Sequence, residues 1–427
     1  MSLQILLVNV HSSRNAGDAA LTDVAITQLR KQFAGCQITL AMDDPDSHTG
    51  FGKAIESFFS WTRKTRGWYL GNVLWLLPGT LFPILTWRLG GKACFILTPH
   101  AWRTLLAAYV QADMVVSKPG GFIYSSGRGI SLIIALYHMI LAQLADKPVY
   151  MFPQSIGPLK HHWEYKLLRQ ILKRVRIVMV REPISLQLLQ SDDFNGMQAQ
   201  LLPDMAFGFK EAPITDAQQW LQQHGLDSES YTPLLGMTTV NWQAQNPDFQ
   251  FQERYEQACV AAARTFITQW QGKVLLFPQV WGPLESQDDR VAARRIAAHL
   301  NDLDSSVLFV EKPMPSELLK SVYGLMTIFI GTRMHSNIFA LSLCVPVIAI
   351  GYQYKTRGIM QMAGLEDWVI DIQDVTPELL TEKLTALMID RDQLQQHLEQ
   401  VIPMIVEQSQ RAGRLVAADF KALREKK

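Results

Sequence analysis

An arginine and a histidine separated by one residue follow an apolar run and a glycine in Gly331-Thr332-Arg333-Met334-His335-Ser336. The run 326–330 reads as a buried strand, Gly331 as a tight turn, and Thr332 or Arg333 as the opening of a helix. A helix N-terminus presents unpaired backbone N–H groups and a positive dipole end, so it already favours an anion. A guanidinium at that place adds a planar fork suited to phosphate or carboxylate. An imidazole beside it adds a group able to carry a proton near neutral pH. The alternative is an Arg333 paired with an internal carboxylate and a His335 packed in a core. Finding both residues at one strand end favours the ligand site, in which Gly331, Thr332 and Arg333 hold an anionic donor and His335 moves protons.

The first half of the chain repeats this logic. The run 177–180 ends at Arg181-Glu182-Pro183, with Pro183 suited to the first turn of a helix. Arg181 either pairs with Glu182 or another acid, or clamps the second anionic group of a small dianion or trianion whose first group meets Arg333. The loop after the first apolar run carries Asn15, Gly17 and Asp18. Asp18 is either a helix cap or a carboxylate that orients or deprotonates a sugar hydroxyl. Gly120-Gly121 follows another strand and lets backbone approach a ligand. An internal echo, Phe152-Pro153-Gln154-x-x-Gly157-Pro158-Leu159 and Phe277-Pro278-Gln279-x-x-Gly282-Pro283-Leu284, places Gln154 and Gln279 on loops that each follow a strand. Ligands of open parallel sheets bind beyond the carboxyl ends of strands, so Asn15, Gly17, Gly120, Gly121, Gln154 and Gln279 are expected to line a cleft. Asp44-Pro45-Asp46 resembles the D-x-D of metal-dependent glycosyltransferases but reads more simply as a solvated acidic turn.

These residues need strands to present them. Short aliphatic runs at 5–10, 37–42, 113–117, 148–152 and 176–180 alternate with longer helical stretches, and the alternation resumes at 234–240, 273–277, 306–310, 327–330 and 346–350. That pattern predicts βαβ units and parallel sheets. With 427 residues, two cores are expected, giving an α/β chain of two Rossmann-like domains facing a cleft. The boundaries expected are 1–205 for the first domain, 206–232 for a linker, 233–375 for the second, donor-binding domain, and 376–427 for a C-terminal helical segment.

Forty basic against thirty-nine acidic side chains leave no global field for nucleic acid. The cysteines Cys36, Cys94, Cys259 and Cys344 are far apart and lack companion histidines at ligand spacing, so no metal site is expected and reduced, cytoplasmic thiols are the simpler reading. The first ten residues lack the basic start and cleavage site of a signal peptide. Neither G-x-G-x-x-G after the first strand nor a P-loop is present, which removes support from dinucleotide redox and P-loop chemistry.

Asn15-x-Gly17-Asp18, Gly120-Gly121, Gln154-Ser155-Ile156-Gly157-Pro158, Arg181-Glu182, Pro203-Asp204 and the Arg333-x-His335 turn together resemble the polysaccharide pyruvyl transferases. The resemblance spans about 5–355. It implies a fold similar to two-domain, GT-B-like glycosyltransferases. It also implies transfer of pyruvate, as a ketal, from phosphoenolpyruvate to two hydroxyls of a sugar in a cell-surface polysaccharide or its lipid-linked precursor. Residues corresponding to Arg181, Arg333 and His335 would meet the donor, with no cofactor beyond phosphoenolpyruvate as substrate. The competing expectation is a nucleotide-sugar-dependent glycosyltransferase, with Arg333 on the pyrophosphate and Asp44 or Asp46 on a ribose or metal.

The region 52–102 has no counterpart in these motifs. From Trp68 to Trp87 it carries no charge, and Arg63, Lys64, Arg66, Arg88 and Lys92 flank that run. Its length suits a bilayer span, but Pro78, Gly79 and Pro83 would break a straight helix, and a single crossing would part motifs that must share one cytoplasmic site. A shallow helical hairpin or interfacial element at about 61–102, on the inner face of the cytoplasmic membrane, is therefore expected. Trp61, Trp68, Trp75, Trp87 and Trp102 would then favour the headgroup boundary.

Overall fold

The computed structural model describes residues 2–58, 60, 66–125, 130–226, 232–282 and 284–426, with the side chains of 66–75 left aside. It contains two wholly parallel sheets. The first has eight strands: β1 (Gln4–Val10), β2 (Gln37–Met42), β3 (Lys53–Glu56), β4 (Met114–Ser117), β5 (Gly120–Ile123), β6 (Val149–Ile156), β7 (Ile177–Val180) and β8 (Gln200–Leu201). Their order is β3-β2-β1-β4-β6-β7-β8, with β5 paired to β6. The second has six strands: β9 (Leu234–Thr238), β10 (Lys273–Leu276), β11 (Val307–Phe309), β12 (Ile328–Gly331), β13 (Val347–Gly351) and β14 (Val369–Asp371), in the order β11-β10-β9-β12-β13-β14.

The central strands β4, β9, β12 and β13 are buried along their whole length. Strands covered on both faces read as continuous aliphatic runs, which is why they were visible in the sequence. In each sheet the chain winds outward and then reverses, between β1 and β4 in one and between β9 and β12 in the other. Such switch points open a crevice at the carboxyl ends of the strands.

Met1–Ser13, Leu21–Met205 and Ser409–Lys427 form one compact unit, and Arg14–Ala20 with Ala206–Gln408 form the other. Two expectations change. Residues 14–20, which include the first turn of helix Ala16–Gln32 and were assigned above to the first domain, group with the second unit. The expected linker 206–232 contains a helix, Ile214–Gln223, whose Ala217 and Leu221 are buried. Ala212 N–H bonds to Glu317 C=O at 3.0 Å, so this segment is part of the second unit. Its glutamine-rich sequence concealed an i, i+4 apolar stripe only one pair long. At the far end, helix Pro377–Ser409 buries Leu380, Leu384 and Leu387 in the second core. Helix Ala412–Glu425 belongs to the first unit, where Asp419 pairs with Arg176 at 2.7 Å and Gln28 bonds to Gly413 N–H at 2.9 Å.

Contrary to the expected break at Pro78, Gly79 and Pro83, residues Arg66–Gly90 form one continuous helix with both prolines in its interior, not a hairpin. Pro83 leaves the Gly79 carbonyl without its helical donor, and Thr98 Oγ1 supplies one at 2.7 Å. Trp102 differs from the expectation. It is 1% exposed and meets Phe58 edge-on, ring centroids 5.6 Å apart, because it lies on the inward face of the following helix, His100–Gln111. Trp61, Arg63 and Lys64 fall outside the described residues, as do the side chains of Arg66, Trp68 and Trp75. Among the described residues, no helix is long and apolar enough to cross a membrane.

Candidate functional site

Three segments far apart in the chain meet in the second unit: 14–18, 279–289 and 331–336. Ala16 N–H donates to Gln279 C=O at 3.1 Å, Trp281 N–H donates to Arg14 C=O at 3.1 Å, and Asn15 forms an antiparallel bridge with Val280. The echo loop after β10 is thereby stitched to the first turn of helix Ala16–Gln32. Asn15, not Asp18, caps that helix, since its Oδ1 accepts from Gly17 N–H at 3.0 Å and Asp18 N–H at 3.3 Å. Asp18 sits half-buried in the first turn. Gly17 lies directly against the imidazole of His335, and a Cβ at this position would overlap the ring.

Arg333 follows β12 and stands at the N-cap of helix Met334–Leu341. Its partner is Asp289, a residue that sequence reading missed. Asp289 is fully buried at the N-cap of helix Arg290–Ala298. Arg333 Nη2 lies 2.5 Å from Asp289 Oδ1, and Nε lies 3.1 Å from both carboxylate oxygens. Asp289 Oδ2 also accepts from the backbone N–H groups of Gln279 at 3.1 Å and Val280 at 3.0 Å. One carboxylate thus holds both the arginine and the echo loop. Its only sequence signal was an acidic pair, Asp288-Asp289, just before a helix.

The contact has the geometry of a salt bridge. Burial alone would lower the guanidinium pKa, but the Asp289 carboxylate and the Tyr352 hydroxyl outweigh it and hold Arg333 above its ordinary value. Burial pushes Asp289 upward, against the pull of Arg333 and the Val280 and Gln279 N–H groups. Because Asp289 occupies the Nε and Nη2 edge, the Nη1 end of Arg333 is the part turned elsewhere, with Tyr352 Oη at 3.3 Å. The Arg333 side chain keeps 12% exposure. Tyr352, at the end of β13, packs in turn on Trp242, ring centroids 4.4 Å apart.

Buried hydroxyls fix the turn itself. Thr332 N–H reaches Thr238 Oγ1 at 3.2 Å, Thr332 Oγ1 meets Tyr255 Oη at 2.8 Å, and Thr238 Oγ1 meets Ser336 Oγ at 2.7 Å. Gly331 is packed so closely on the Asn337 carboxamide that a Cβ would overlap it. Neither the Oδ1 nor the Nδ2 of Asn337 has a hydrogen-bond partner among the described residues, nor does Gln279 Nε2, although Gln279 Oε1 accepts from Tyr323 at 3.0 Å.

The remaining expected residues lie in the first unit. Arg181 is 1% exposed, with Nη1 2.5 Å from Asp204 and Nε donating to Ser155 Oγ at 2.8 Å. Glu182, offered above as its partner, instead caps the next helix by accepting from Ser185 N–H at 2.9 Å. Gln154 is buried on β6 and donates to Lys118 C=O. Gly120 and Gly121 form the start of β5 rather than a loop. Asp44 is buried and accepts from Ser12 Oγ at 2.7 Å, which makes it a loop-fixing residue rather than a solvated one. Among the described residues, no three His, Cys, Asp or Glu side chains cluster as a metal site would require.

A sequence model of the polysaccharide pyruvyl transferase family matches residues 15–354. The amylovoran biosynthesis protein AmsJ of Erwinia amylovora is 22% identical over 435 residues, covering 98% of this chain and 99% of that protein. A putative UDP-N-acetylglucosamine 2-epimerase from Listeria monocytogenes matches with a TM-score of 0.56 at 11% identity, over 100% of this chain and 97% of that one. The apo UGT2 structure from Phytolacca americana matches with a TM-score of 0.53 at 11% identity, over 98% of this chain and 100% of that one. At such identities the structural matches speak for the fold alone.

Proposed function

This chain belongs to the polysaccharide pyruvyl transferase family, and we propose that it moves pyruvate from phosphoenolpyruvate onto two hydroxyls of one sugar, as a ketal, with release of phosphate. The observation that carries this reading is the meeting, in one unit, of Gly17 with His335 and of Arg333 with the Gln279 backbone through Asp289. Phosphoenolpyruvate offers two anionic groups and an alkene that must be protonated. The Arg333–Asp289 pair carries no net charge, so the anion is held by directed N–H groups, from Arg333 Nη1 and the first turn of helix Met334–Leu341, more than by a field. Gly331 and Thr332 set the position of that turn.

In this scheme His335 handles the proton that reaches the methylene carbon as the first sugar hydroxyl adds to the neighbouring carbon. The carbon–oxygen bond to phosphate then breaks, and the second hydroxyl closes the ketal. One hydroxyl proton ends on the new methyl group and the other leaves with phosphate. Asp18, on the turn that also carries Gly17, assists at an acceptor hydroxyl. Arg181 is assigned a supporting part, since its guanidinium is enclosed with Asp204. The acceptor is a sugar of a cell-surface polysaccharide or of its lipid-linked precursor, met at the inner face of the cytoplasmic membrane.

The test is incubation with phosphoenolpyruvate and candidate lipid-linked oligosaccharides, following phosphate release and the mass gain of a pyruvate ketal together. Stabilisation against heat by phosphoenolpyruvate, and not by nucleotide sugars, is expected alongside. Phosphate release without a ketal, or stabilisation by a nucleotide sugar alone, would overturn the proposal.

A further inference from the structure

From Leu76 onward, helix Arg66–Gly90 carries side chains that the protein covers and others that it leaves bare. Of the covered ones, Thr80 and Ile84 are fully buried, and Leu76, Leu81 and Trp87 pack against the first core. Of the bare ones, Leu77 is 57% exposed, Leu85 49% and Leu89 89%. The segment after the helix folds back along it, held by Cys94 N–H to Thr86 Oγ1 at 2.9 Å and by the Thr98–Gly79 bond. That returning segment exposes Ile96 at 76% and Leu97 at 38%. A helix bearing apolar residues on both faces is normally enclosed, and several large aliphatic side chains left bare on one helix and its return segment are candidates for an interaction site.

Charge identifies the occupant. Between Glu56 and Asp113 the sequence has no Asp or Glu but six Lys and Arg residues, although the whole chain balances 40 basic against 39 acidic groups. Of these six, Arg88, Lys92 and Arg103 are exposed around the bare aliphatic face. We propose that this helix and its return segment dock the enzyme onto a bilayer containing anionic lipid, with Leu77, Leu85, Leu89, Ile96 and Leu97 entering the acyl boundary and Arg88, Lys92 and Arg103 at the headgroups. Aliphatic side chains ringed by cations and free of carboxylates suit that surface. The docking is shallow, because Thr80 and Ile84 are committed to the protein core and the helix cannot be surrounded by lipid. Its purpose, delivery of the site to a lipid-linked acceptor, rests on the function proposed above, while the binding itself does not.

The experiment is co-sedimentation of the full chain with vesicles of phosphatidylcholine alone and with about one-third phosphatidylglycerol, a composition that supplies the anionic surface. Binding is expected only to the anionic vesicles. Leu85→Ser with Leu89→Ser should weaken it at least about tenfold, and Arg88→Gln with Lys92→Gln should weaken it by about fivefold per cation. Heat stability and turnover of phosphoenolpyruvate on a water-soluble glycoside should stay unchanged in both variants. Equal binding to neutral vesicles, undiminished binding by the folded leucine variant, or a stable dimer in sedimentation velocity that this variant abolishes would each overturn the proposal. Loss of phosphoenolpyruvate turnover with vesicle binding intact would instead count against the catalytic reading alone.

Discussion

Replacing Asp289 by Asn keeps the shape of the side chain and removes its charge, so it isolates what the carboxylate does for Arg333. In the native protein Arg333 Nε, Arg333 Nη2, Gln279 N–H and Val280 N–H all donate to Asp289, whose side chain is fully buried. Asn offers one carbonyl oxygen to these donors and turns its own NH2 toward another of them. Removing one partner of a buried ion pair costs about 3–5 kcal/mol because the other charge is left uncompensated. The lower end is expected, since Arg333 keeps 12% exposure and a contact to Tyr352. A loss of about 3 kcal/mol in a unit of this size lowers the unfolding midpoint by roughly 6–12 °C. Arg333 also loses its bearing, so kcat/KM for phosphoenolpyruvate should fall by about 10² or more at temperatures where the variant is folded. Urea unfolding and steady-state kinetics read both effects. A double variant with Arg333→Gln should recover about 2 kcal/mol relative to the sum of the single losses. Stability within about 0.5 kcal/mol of the parent, together with unchanged kinetics, would refute the hub assigned to Asp289.

His335→Gln should lower turnover by about 10² or more while phosphoenolpyruvate still protects against heat, and the limb of the pH–rate profile that His335 supplies should vanish. Gly17→Ala sets a methyl group against the imidazole, with an expected cost of about 1–3 kcal/mol in unfolding measurements and a fall in turnover from the displaced ring; wild-type activity would separate Gly17 from the site. His138 gives a pH prediction. Burial, with a smaller push from His11, lowers its pKa from 6.5 to about 3, and its Nδ1 lies 2.6 Å from Tyr109 Oη. Below about pH 6.5 the unfolded chain binds a proton that the folded one does not, so this contribution is complete above that pH and is lost as pH falls toward 3. In His138→Gln the pH slope of the unfolding free energy in that window should flatten by up to about 1.4 kcal/mol per unit, and an unchanged slope would count against it.

Every strand anticipated from an aliphatic run is present: central parallel strands buried on both faces leave an uninterrupted apolar signature, and the half-buried edge strand β11 was visible from its Val-Leu-Phe run. The strands not anticipated are β3, β5, β8 and β14. They are short, glycine-led or at a sheet edge, where Lys53–Glu56 and Gln200–Leu201 mix polar residues into the run. At the site, Arg333 and His335 were legible because a strand, a glycine and a helix start lie consecutively in the sequence. Asp289 was not, since it is one of 39 acidic residues and stands 44 positions from Arg333. The β9–β12 reversal places β10, whose following loop carries Asp289, and β12, which leads into Arg333, on either side of β9. The segment 14–20 was misassigned for a related reason. It follows β1 in sequence, but its backbone hydrogen bonds go to Gln279 and Trp281.

The repeated Phe-Pro-Gln-x-x-Gly motif shows how far local sequence carries chemistry. Gly157 and Gly282 both have positive φ, 96° and 78°, which explains a glycine in each copy. Both glutamines are buried, and each has one amide atom without a partner among the described residues, Gln154 Oε1 and Gln279 Nε2. Each unit also ends a strand in an arginine held by a buried aspartate, Arg181 with Asp204 and Arg333 with Asp289. The two copies share the positive-φ glycine and the buried charge pair, although Gln154 lies within β6 and Gln279 beyond the end of β10. They differ in what stands around the guanidinium. Arg181 is closed in by Ser155 and Asp204 at 1% exposure, whereas Arg333 keeps 12% exposure, and its unit also brings an imidazole and Gly17 together. An enclosed ion pair holds a loop in place, and one with an open edge can hold a loop and still bind an anion. That difference in exposure, which neither copy of the motif encodes, is the ground on which the proposed donor site is assigned to the second unit.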